Sequence, residues 1–595
     1  MAGISGSLLA GTTAALSIHQ DPLRQADYHS ESGGVDIRVW LHHRYAATVS
    51  SDLTGTFGLG IEGRPRRSFP SIELDLAQTR ERAHSLGCST IKVDVRANQV
   101  ELAADLGGVY PLFYAPLGDG WVFSTTVSQL KEWLQPPPDF VSVIHHLRTA
   151  TVLGDTTVFV GIKRVLPGQR VLLKAGHSPQ ITEPSGIWVV SEQAPNIDQL
   201  IDTVWEQLTE AVGTLEELSP TVLMMSGGWD SRTLLAALSA AGSFCSGYTH
   251  GDGHSRELML VRRLASSRGV ALQQEEIDAR CLSQAAVLGA FDRVESSSFP
   301  HWVRAGQRIL DSGSGTSIMA GILGEVLGGH YGLTMAGSWS RRSIALVWGL
   351  LENSGVSHSS SPSARSVLYS PANIGPHWYL TRDFEQSLGA LGERFNDGID
   401  TFLRRHERRG VSSQSSLVEA FITEHRGAQY IAAQLRSTRA SLPVLAPFGN
   451  PRLLETVSRV PVGIRLHNSL NRLMLRRYAP DLLRLPMAAT LVPASMPIIV
   501  QEVSRAARKA IDTAWLTGKQ LGITSGPRRA GWVNFEFLRS GHALRDLVDV
   551  LRLDIWDRVS LHQRITELAD KNRATNPHSL FDQVMKIVTI DRLLS

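Results

Sequence analysis

Hydrophobic and polar positions change their period partway along the chain. Up to about residue 190, short apolar-rich runs alternate with turn signals: Asp36-Ile37-Arg38-Val39-Trp40-Leu41, Thr90-Ile91-Lys92-Val93-Asp94-Val95, Leu112-Phe113-Tyr114, Trp121-Val122-Phe123-Ser124 and Arg170-Val171-Leu172-Leu173. Runs of this length, rich in β-branched and aromatic residues, predict strands, and several in succession predict layered sheets. Gln135-Pro136-Pro137-Pro138 is a stiff break, and residues 139–150 after it predict a short helix. From about residue 195 the spacing turns helical. Val204–Leu218 is amphipathic, and Arg256–Gly269 puts Leu258, Val261, Leu264 and Ala265 on one face. Between these helices Thr221–Met225 and Ser246–His250 read as buried strands. Strand, glycine turn, helix, strand, helix is the doubly wound α/β order, with ligands expected at the carboxyl ends of the strands. Residues 380–595 read as mostly helical with a break at Leu485-Pro486, and Ser357–Ser366 as an exposed, mobile loop. The pattern divides the chain into two units, residues 1–190 and 195–595.

The turn after the first buried strand carries the strongest chemical signal. Met224-Met225 runs into Ser226-Gly227-Gly228-Trp229-Asp230-Ser231, and the apolar helix Thr233–Leu238 follows. First-turn N–H groups of a helix lack intrahelical partners and the helix dipole favours negative charge there, so this is an anion site. Gly227 and Gly228 let backbone approach a phosphate without a Cβ in the way. Ser226 and Ser231 add hydroxyl donors, and Asp230 is placed to hold a Mg²⁺ bridging phosphate oxygens. Neither a Gly-Lys-Ser/Thr ending nor Gly-x-Gly-x-x-Gly is present, which excludes a Walker loop and a dinucleotide turn here.

Composition narrows the class. The 595 residues exceed one ordinary core; 43% hydrophobic and 19% charged content describes a globular chain. A net charge of +3 gives no hint of a nucleic-acid partner. The basic run Arg404-Arg405-His406-Glu407-Arg408-Arg409 reads as a solvated helix face. Cys88, Cys245 and Cys281 are far apart, with no metal or disulfide spacing, which fits a reducing cytoplasm. No apolar run is long enough to span a membrane. Gly3–Ile18 lacks the basic start of a signal peptide.

Ser-Gly-Gly-x-Asp-Ser resembles the pyrophosphate loop of ATP pyrophosphatases, which split ATP into AMP and pyrophosphate to activate a carboxylate. Asp105-Leu106-Gly107-Gly108-Val109-Tyr110-Pro111-Leu112-Phe113-Tyr114 followed by Phe123-Ser124-Thr125 is similar to a passage of class II glutamine amidotransferase domains, and Thr157–Gly168 to the segment that closes that domain in asparagine synthetases. The order of the pieces is also that of the asparagine synthetase-like family. The resemblance implies an α/β protein: an N-terminal layered β-rich, Ntn-type domain and a C-terminal doubly wound ATP pyrophosphatase domain with a helical extension. One departure is decisive. The family's glutaminase begins Met-Cys-Gly-Ile, whereas this sequence reads Met1-Ala2-Gly3-Ile4. Alanine has no thiolate to attack glutamine, so the first domain is expected to be structural or to dock substrate.

Further residues follow from the same resemblance. Ile318–Gly329 is similar to the family's second nucleotide segment, Gly-x-Gly-x-Asp-Glu-x-x-Gly-Gly, with Gly321 in its loop. Gly324 or Glu325 stands where the family has its second Mg²⁺-ligating Asp, and Glu325 is the nearby carboxylate, hence the candidate second metal ligand. Asn450 in Pro447-Phe448-Gly449-Asn450 replaces a family Asp. Arg472 in Arg472-Leu473-Met474-Leu475-Arg476 stands where the family has Lys; a guanidinium keeps an electrostatic role but not one needing deprotonation. No Lys or Arg lies between Leu485-Pro486 and Arg505, so the family's catalytic Lys is missing or its work falls to Arg472 or Arg476. His250, with Met224, is expected to line the nucleotide; metal binding by His250, Asp252 and His254 is the weaker reading. Trp229 could contact a peptide.

The implied reaction uses ATP and Mg²⁺. A carboxylate attacks the α-phosphate, pyrophosphate leaves into Ser226–Ser231, and an amine then displaces AMP. Without glutaminase the amine comes with the substrate, as in β-lactam synthetases and lasso peptide cyclases. The expectation is a lasso peptide cyclase, closing a precursor's N-terminal amine onto its own Asp or Glu side chain. A leader peptidase and a leader-recognition protein are possible partners; no nucleic acid or membrane is expected. An asparagine or β-lactam synthetase-like ligase and a non-catalytic peptide-binding pseudo-enzyme are the alternatives.

Overall fold

A computed structural model describes residues 3–10, 28–32, 35–42, 54–59, 89–94, 97–191, 195–216, 221–243, 245–253, 255–315, 317–329, 363–368, 377–388, 391–439, 442, 444–521, 523, 536–569 and 577–595. The chain is mixed α/β, with two antiparallel sheets and one parallel sheet. The antiparallel strands are β1 (Gly3–Ala10), β2 (Tyr28–Ser32), β3 (Val35–His42), β4 (Thr54–Leu59), β5 (Ser89–Asp94) and β6 (Gln99–Ala103). They continue with β7 (Phe113–Leu117), β8 (Gly120–Ser124), β9 (Lys163–Arg164), β10 (Arg170–Lys174) and β11 (Gln180–Thr182). One sheet has the order β2-β3-β1-β8-β7-β9 and the other β11-β10-β6-β5-β4. In β6 and β10 every second residue is buried, the period of a half-covered strand. Leu8 and Phe123 from one sheet meet Ile91, Val100, Leu102, Val171 and Leu173 from the other, so the sheets share a core.

The opposite face of the six-stranded sheet is covered by helices. Phe113 and Val122 pack with the helices Val127–Leu134 and Phe140–Thr149, the second starting on Asp139, which accepts the Val141 N–H. The last helix, Pro577–Leu594, completes this layer: Gln583 Nε2 donates to the Leu147 carbonyl and Lys586 Nζ to that of Arg148. The end of the chain is thus built into the layer around its beginning.

The parallel sheet consists of β12 (Thr221–Met224), β13 (Cys245–Gly251), β14 (Leu272–Glu276), β15 (Ser317–Met319) and β16 (Val444–Leu445), in the order β14-β13-β12-β15-β16. β12 is buried at all four positions, as a central strand covered on both faces must be. The chain lays β13 and β14 to one side of β12, then returns to lay β15 and β16 on the other. The order reverses between β12 and β15, and there the carboxyl ends of the strands open a crevice.

The two sheet systems meet through the Asp105–Tyr110 turn. Asp105 accepts hydrogen bonds from the Ser89 hydroxyl and from the N–H groups of Val109 and Tyr110, each at 2.9 Å. The turn so held sends the Tyr110 hydroxyl to the Val444 carbonyl at 2.9 Å. A Cβ on Gly107 would lie 2.4 Å from Leu323 Cδ1, so the glycine admits a side chain from the second unit. In this chain the passage that resembles an amidotransferase motif works as an interface.

Two expectations need correction. Part of Ser357–Ser366 is the short helix Ala364–Leu368, whose Ala364 and Leu368 are buried; residues 357–362 lie outside the described residues, as do Ala2, Cys88 and His254. The run Arg404–Arg409 is not a purely solvated face. It closes the helix Leu391–Arg408, His406 is buried, Arg405 pairs with the buried Glu424, and Arg409 approaches Glu183 at 3.8 Å. The buried Glu424 and the partly buried Glu183 on neighbouring segments draw these cations inward. Among the described residues no helix is long and apolar enough to cross a membrane.

Candidate active site

β12 delivers the chain into the crevice at Ser226. The Ser226 N–H donates to Ser231 Oγ at 3.0 Å, and the Ser231 hydroxyl returns a bond to the Ser226 carbonyl at 2.7 Å. Ser231 therefore braces the turn, while Ser226 Oγ accepts the Gly228 N–H at 3.3 Å. Gly228 is the N-cap of the helix Trp229–Ala240 and offers no side chain to its first turn. The Gly227 N–H donates to Glu257 Oε1 at 3.1 Å. That carboxylate belongs to the first turn of the helix Arg256–Ser267, and burial pushes its pKa up. An oxyanion already engages the glycine turn.

Across the switch point, β15 ends in the turn Ala320–Gly324 and the helix Glu325–Gly328. Leu323 there has φ of +72°, a left-handed conformation that leucine rarely adopts. A Cβ on Gly321 would stand 2.7 Å from Asp230 Cβ, and one on Gly324 only 2.4 Å from Asp230 Cγ. Gly324 thus has no room for a carboxylate of its own, which leaves Glu325 as the partner of Asp230. Asp230 reaches solvent in part, yet its carboxyl is crowded by protein, and desolvation together with the Glu325 charge pushes its pKa far above the usual carboxylate range. Two adjoining carboxylates fit a hard divalent cation, which would remove the repulsion they feel alone.

A buried clamp holds this corner. Arg465 pairs with Glu419, both without exposed surface, and also donates to the carbonyls of Val326 and Val460. The Val326 carbonyl ties the clamp to the Glu325 helix. Gly329 (φ +63°) follows that helix, and a Cβ there would meet Arg465 and Leu466 backbone at 2.9 Å.

A second buried arginine closes the site from above. Arg232 is fully buried and donates to the carbonyls of Leu482, Leu485 and Pro486 at 2.8, 2.9 and 2.7 Å. This pins the Leu485-Pro486 break and lays the next residues over the turn: the Ala488 N–H donates to the Gly227 carbonyl at 3.3 Å. A Cβ on Gly227 would lie 2.7 Å from that of Ala488. Gly227 is therefore needed for the approach of this segment, a reason the sequence did not reveal.

The resulting cavity has a volume of about 440 Å³. Gly227, Gly228 and Trp229 form one side, and Ile498, Gln501, Glu502 and Arg505 of the helix Ile498–Gln520 form another. His467 and Asn468, consecutive non-glycine residues with φ near +60°, line it as well. Arg472 lies in the wall with its guanidinium 5.7 Å from the centre of the Trp229 ring. Burial and the nearby Arg476 lower its pKa.

The expected residues are only partly brought together. Ser226, Gly227, Gly228, Asp230, Ser231, Gly321 and Glu325 converge at the switch point, and Arg472 lies in the adjoining cavity. Met224 is the buried last residue of β12. His250 is buried at the end of β13 against His301 and Trp302, and desolvation holds its pKa down at about 3; it does not line the cavity. Arg476 is exposed. Asn450 caps the helix Pro451–Ser458, accepting the N–H groups of Arg452 and Leu453, which is a structural task. Arg232, Arg256, Glu257 and Arg505 were not anticipated. The signal for Arg232 is a lone cation at the head of an apolar helix; the others carry no local sign in the sequence. No protein-family model matches the chain and no curated protein matches it.

Proposed function

We propose that this chain is an ATP-dependent, AMP-forming carbon–nitrogen ligase. In this reading the C-terminal unit is an ATP pyrophosphatase domain, and the N-terminal unit is an Ntn-type amidotransferase-like domain retained for docking. The meeting of Asp230 and Glu325 at the switch point, beside the glycine turn, carries the proposal. A substrate carboxylate oxygen bonds to the α-phosphorus of ATP and pyrophosphate leaves toward Gly227 and Gly228. An amine nitrogen then bonds to the acyl carbon, losing a proton, and AMP departs. The chain orients the reactants and stabilises charge on the phosphates, with Arg472 contributing. Mg²⁺ held by Asp230 and Glu325 would neutralise phosphate charge.

Within this class the substrate we propose is a peptide, closed into a macrolactam by its own N-terminal amine as in lasso peptide cyclases. Ala2 in place of the family's cysteine supports an amine that arrives with the substrate. A substrate longer than an amino acid is supported by Trp229 in the cavity wall and by Met496, Ile499, Val500 and Val503, exposed at and beside the helix forming its rim. A leader peptidase and a recognition protein are the partners this reading implies, and Cys281, a buried free cysteine, supports a reducing, cytoplasmic setting. Incubation with ATP-Mg²⁺ should yield AMP and pyrophosphate only with a peptide bearing a free N-terminus and a suitably spaced acid, and Asp230→Ala should abolish it. Release of ADP and orthophosphate, or equal turnover with aspartate and ammonia, would refute the assignment.

A further inference from the structure

The cavity is richer in cations than the sequence reading required. Arg256, Arg472 and Arg505 all line it. Two of these are held by acids of one helix, Ile498–Gln520: Arg256 pairs with Asp512 at 2.9 Å, and Arg505 with Glu502 on the preceding turn. Arg472 gives Nη1 to the Met496 carbonyl, at the entrance to the same helix. The Nε–H groups of Arg256 and Arg472 are buried without an acceptor, a state that costs free energy until something supplies one.

The helix that carries these acids is held in a particular way. Its first turns are fixed by polar contacts, from Thr490 Oγ1 to Gln501, from Gln501 Nε2 to the Pro493 carbonyl at 2.6 Å, and from Ser504 Oγ to the Thr490 carbonyl at 2.5 Å. Ile499, Val503 and Ile511 are exposed, so apolar packing along these positions does not anchor it. Beyond the first turns, Arg256–Asp512 is a tie to the rest of the molecule, and a partly exposed ion pair of this kind is readily exchanged. Phosphate oxygens carry more charge than a carboxylate and accept a guanidinium in a bidentate fork.

We propose that Arg256 and Arg505 are polyphosphate-binding residues parked on Asp512 and Glu502. Polyphosphate arriving at the Gly227–Gly228 turn takes both guanidinium groups from their carboxylates. Arg505 then draws the first half of the helix toward the phosphates, while release of Asp512 loosens the second half. No covalent step is involved. The inference rests on the ATP reading above and deepens it by naming the cations that supply the charge missing after Leu485-Pro486.

Titration calorimetry of the full chain with Mg²⁺-pyrophosphate tests it. Arg256→Ala and Arg505→Ala should each weaken binding about tenfold or more, the worth of a charge-assisted bond. Asp512→Asn and Glu502→Gln, near-isosteric changes that free the arginines, should strengthen it by about two- to fivefold. Pyrophosphate should also speed amide exchange around Asp512. Wild-type affinity in both arginine variants, or weakening by Asp512→Asn as large as that by Arg256→Ala, would make the pairs structural and overturn the exchange while leaving the ATP reading intact. Failure of the wild-type chain to bind either Mg²⁺-pyrophosphate or Mg²⁺-ATP would overturn both.

Discussion

Replacing Arg232 with methionine removes the group that joins the helix of the glycine turn to the segment covering it. Three carbonyls lose a charged donor, and among the described contacts the Pro486 carbonyl has no second one, whereas the Leu485 carbonyl still accepts the Ala494 N–H. Each charge-assisted bond is worth roughly 1.5–3 kcal/mol. Against this, burial lowers the guanidinium pKa to about 10. Carrying that charge inside therefore costs about 3 kcal/mol, which methionine recovers. The difference leaves a net loss of about 2–6 kcal/mol, concentrated in the segment around Pro486–Thr490. Native-state hydrogen exchange reads this locally: the Ala488 amide, bonded to the Gly227 carbonyl, should exchange at least about thirtyfold faster in Arg232→Met. Arg232→Lys should fall between, because an ammonium lacks the planar fork. Unchanged protection at Ala488 in the methionine variant would show that the carbonyl clamp does not hold the covering segment.

Glu419→Gln should leave Arg465 charged and uncompensated in a site without exposed surface, lowering stability by about 3–5 kcal/mol. A thermal midpoint equal to that of the wild type would contradict this, and pairing the change with Arg465→Met should restore most of the loss. Acid should destabilise the fold before its carboxylates titrate. Burial holds the pKa of His145 and His250 down at about 3 and that of His425 at about 4, against about 6.5 in the unfolded chain. Between those values the unfolded state binds more protons, so the stabilisation is complete above pH ~6.5 and declines as pH falls below it, by about 1.4 kcal/mol per imidazole per pH unit. Glu424, kept far below the carboxylate range by Arg405 despite burial, loses its contribution only in stronger acid. A denaturation midpoint that stays flat from pH 7 to 5 would refute the histidine argument.

Much of the architecture was legible because it depends on short-range periodicity. Alternation over Arg170–Leu173 becomes β10, the 3.6-residue spacing after Arg256 becomes the helix Arg256–Ser267, and the apolar run before Ser226 becomes the central strand. The glycine turn could be read for the same reason: a strand, two residues without side chains and a helix start are adjacent in the chain. Even the local reading failed where a distant partner changed the environment, as at Arg405 and His406, whose inward turn depends on Glu424.

What tertiary structure decided was which distant residues meet. Asp230 adjoins Glu325 because β12 and β15 are neighbours in the parallel sheet, and a Cβ at position 324 would stand 2.4 Å from Asp230 Cγ, so that a carboxylate does not fit there, which no spacing along the chain encodes. Arg232 reaches carbonyls some 250 residues away, and Arg256 and Arg505 enter one cavity from two helices. Sequence patterns report each residue's backbone preference and its need for burial. They do not report the partner that satisfies a buried charge, because that partner is chosen by the topology of the folded chain and the space left when its elements pack.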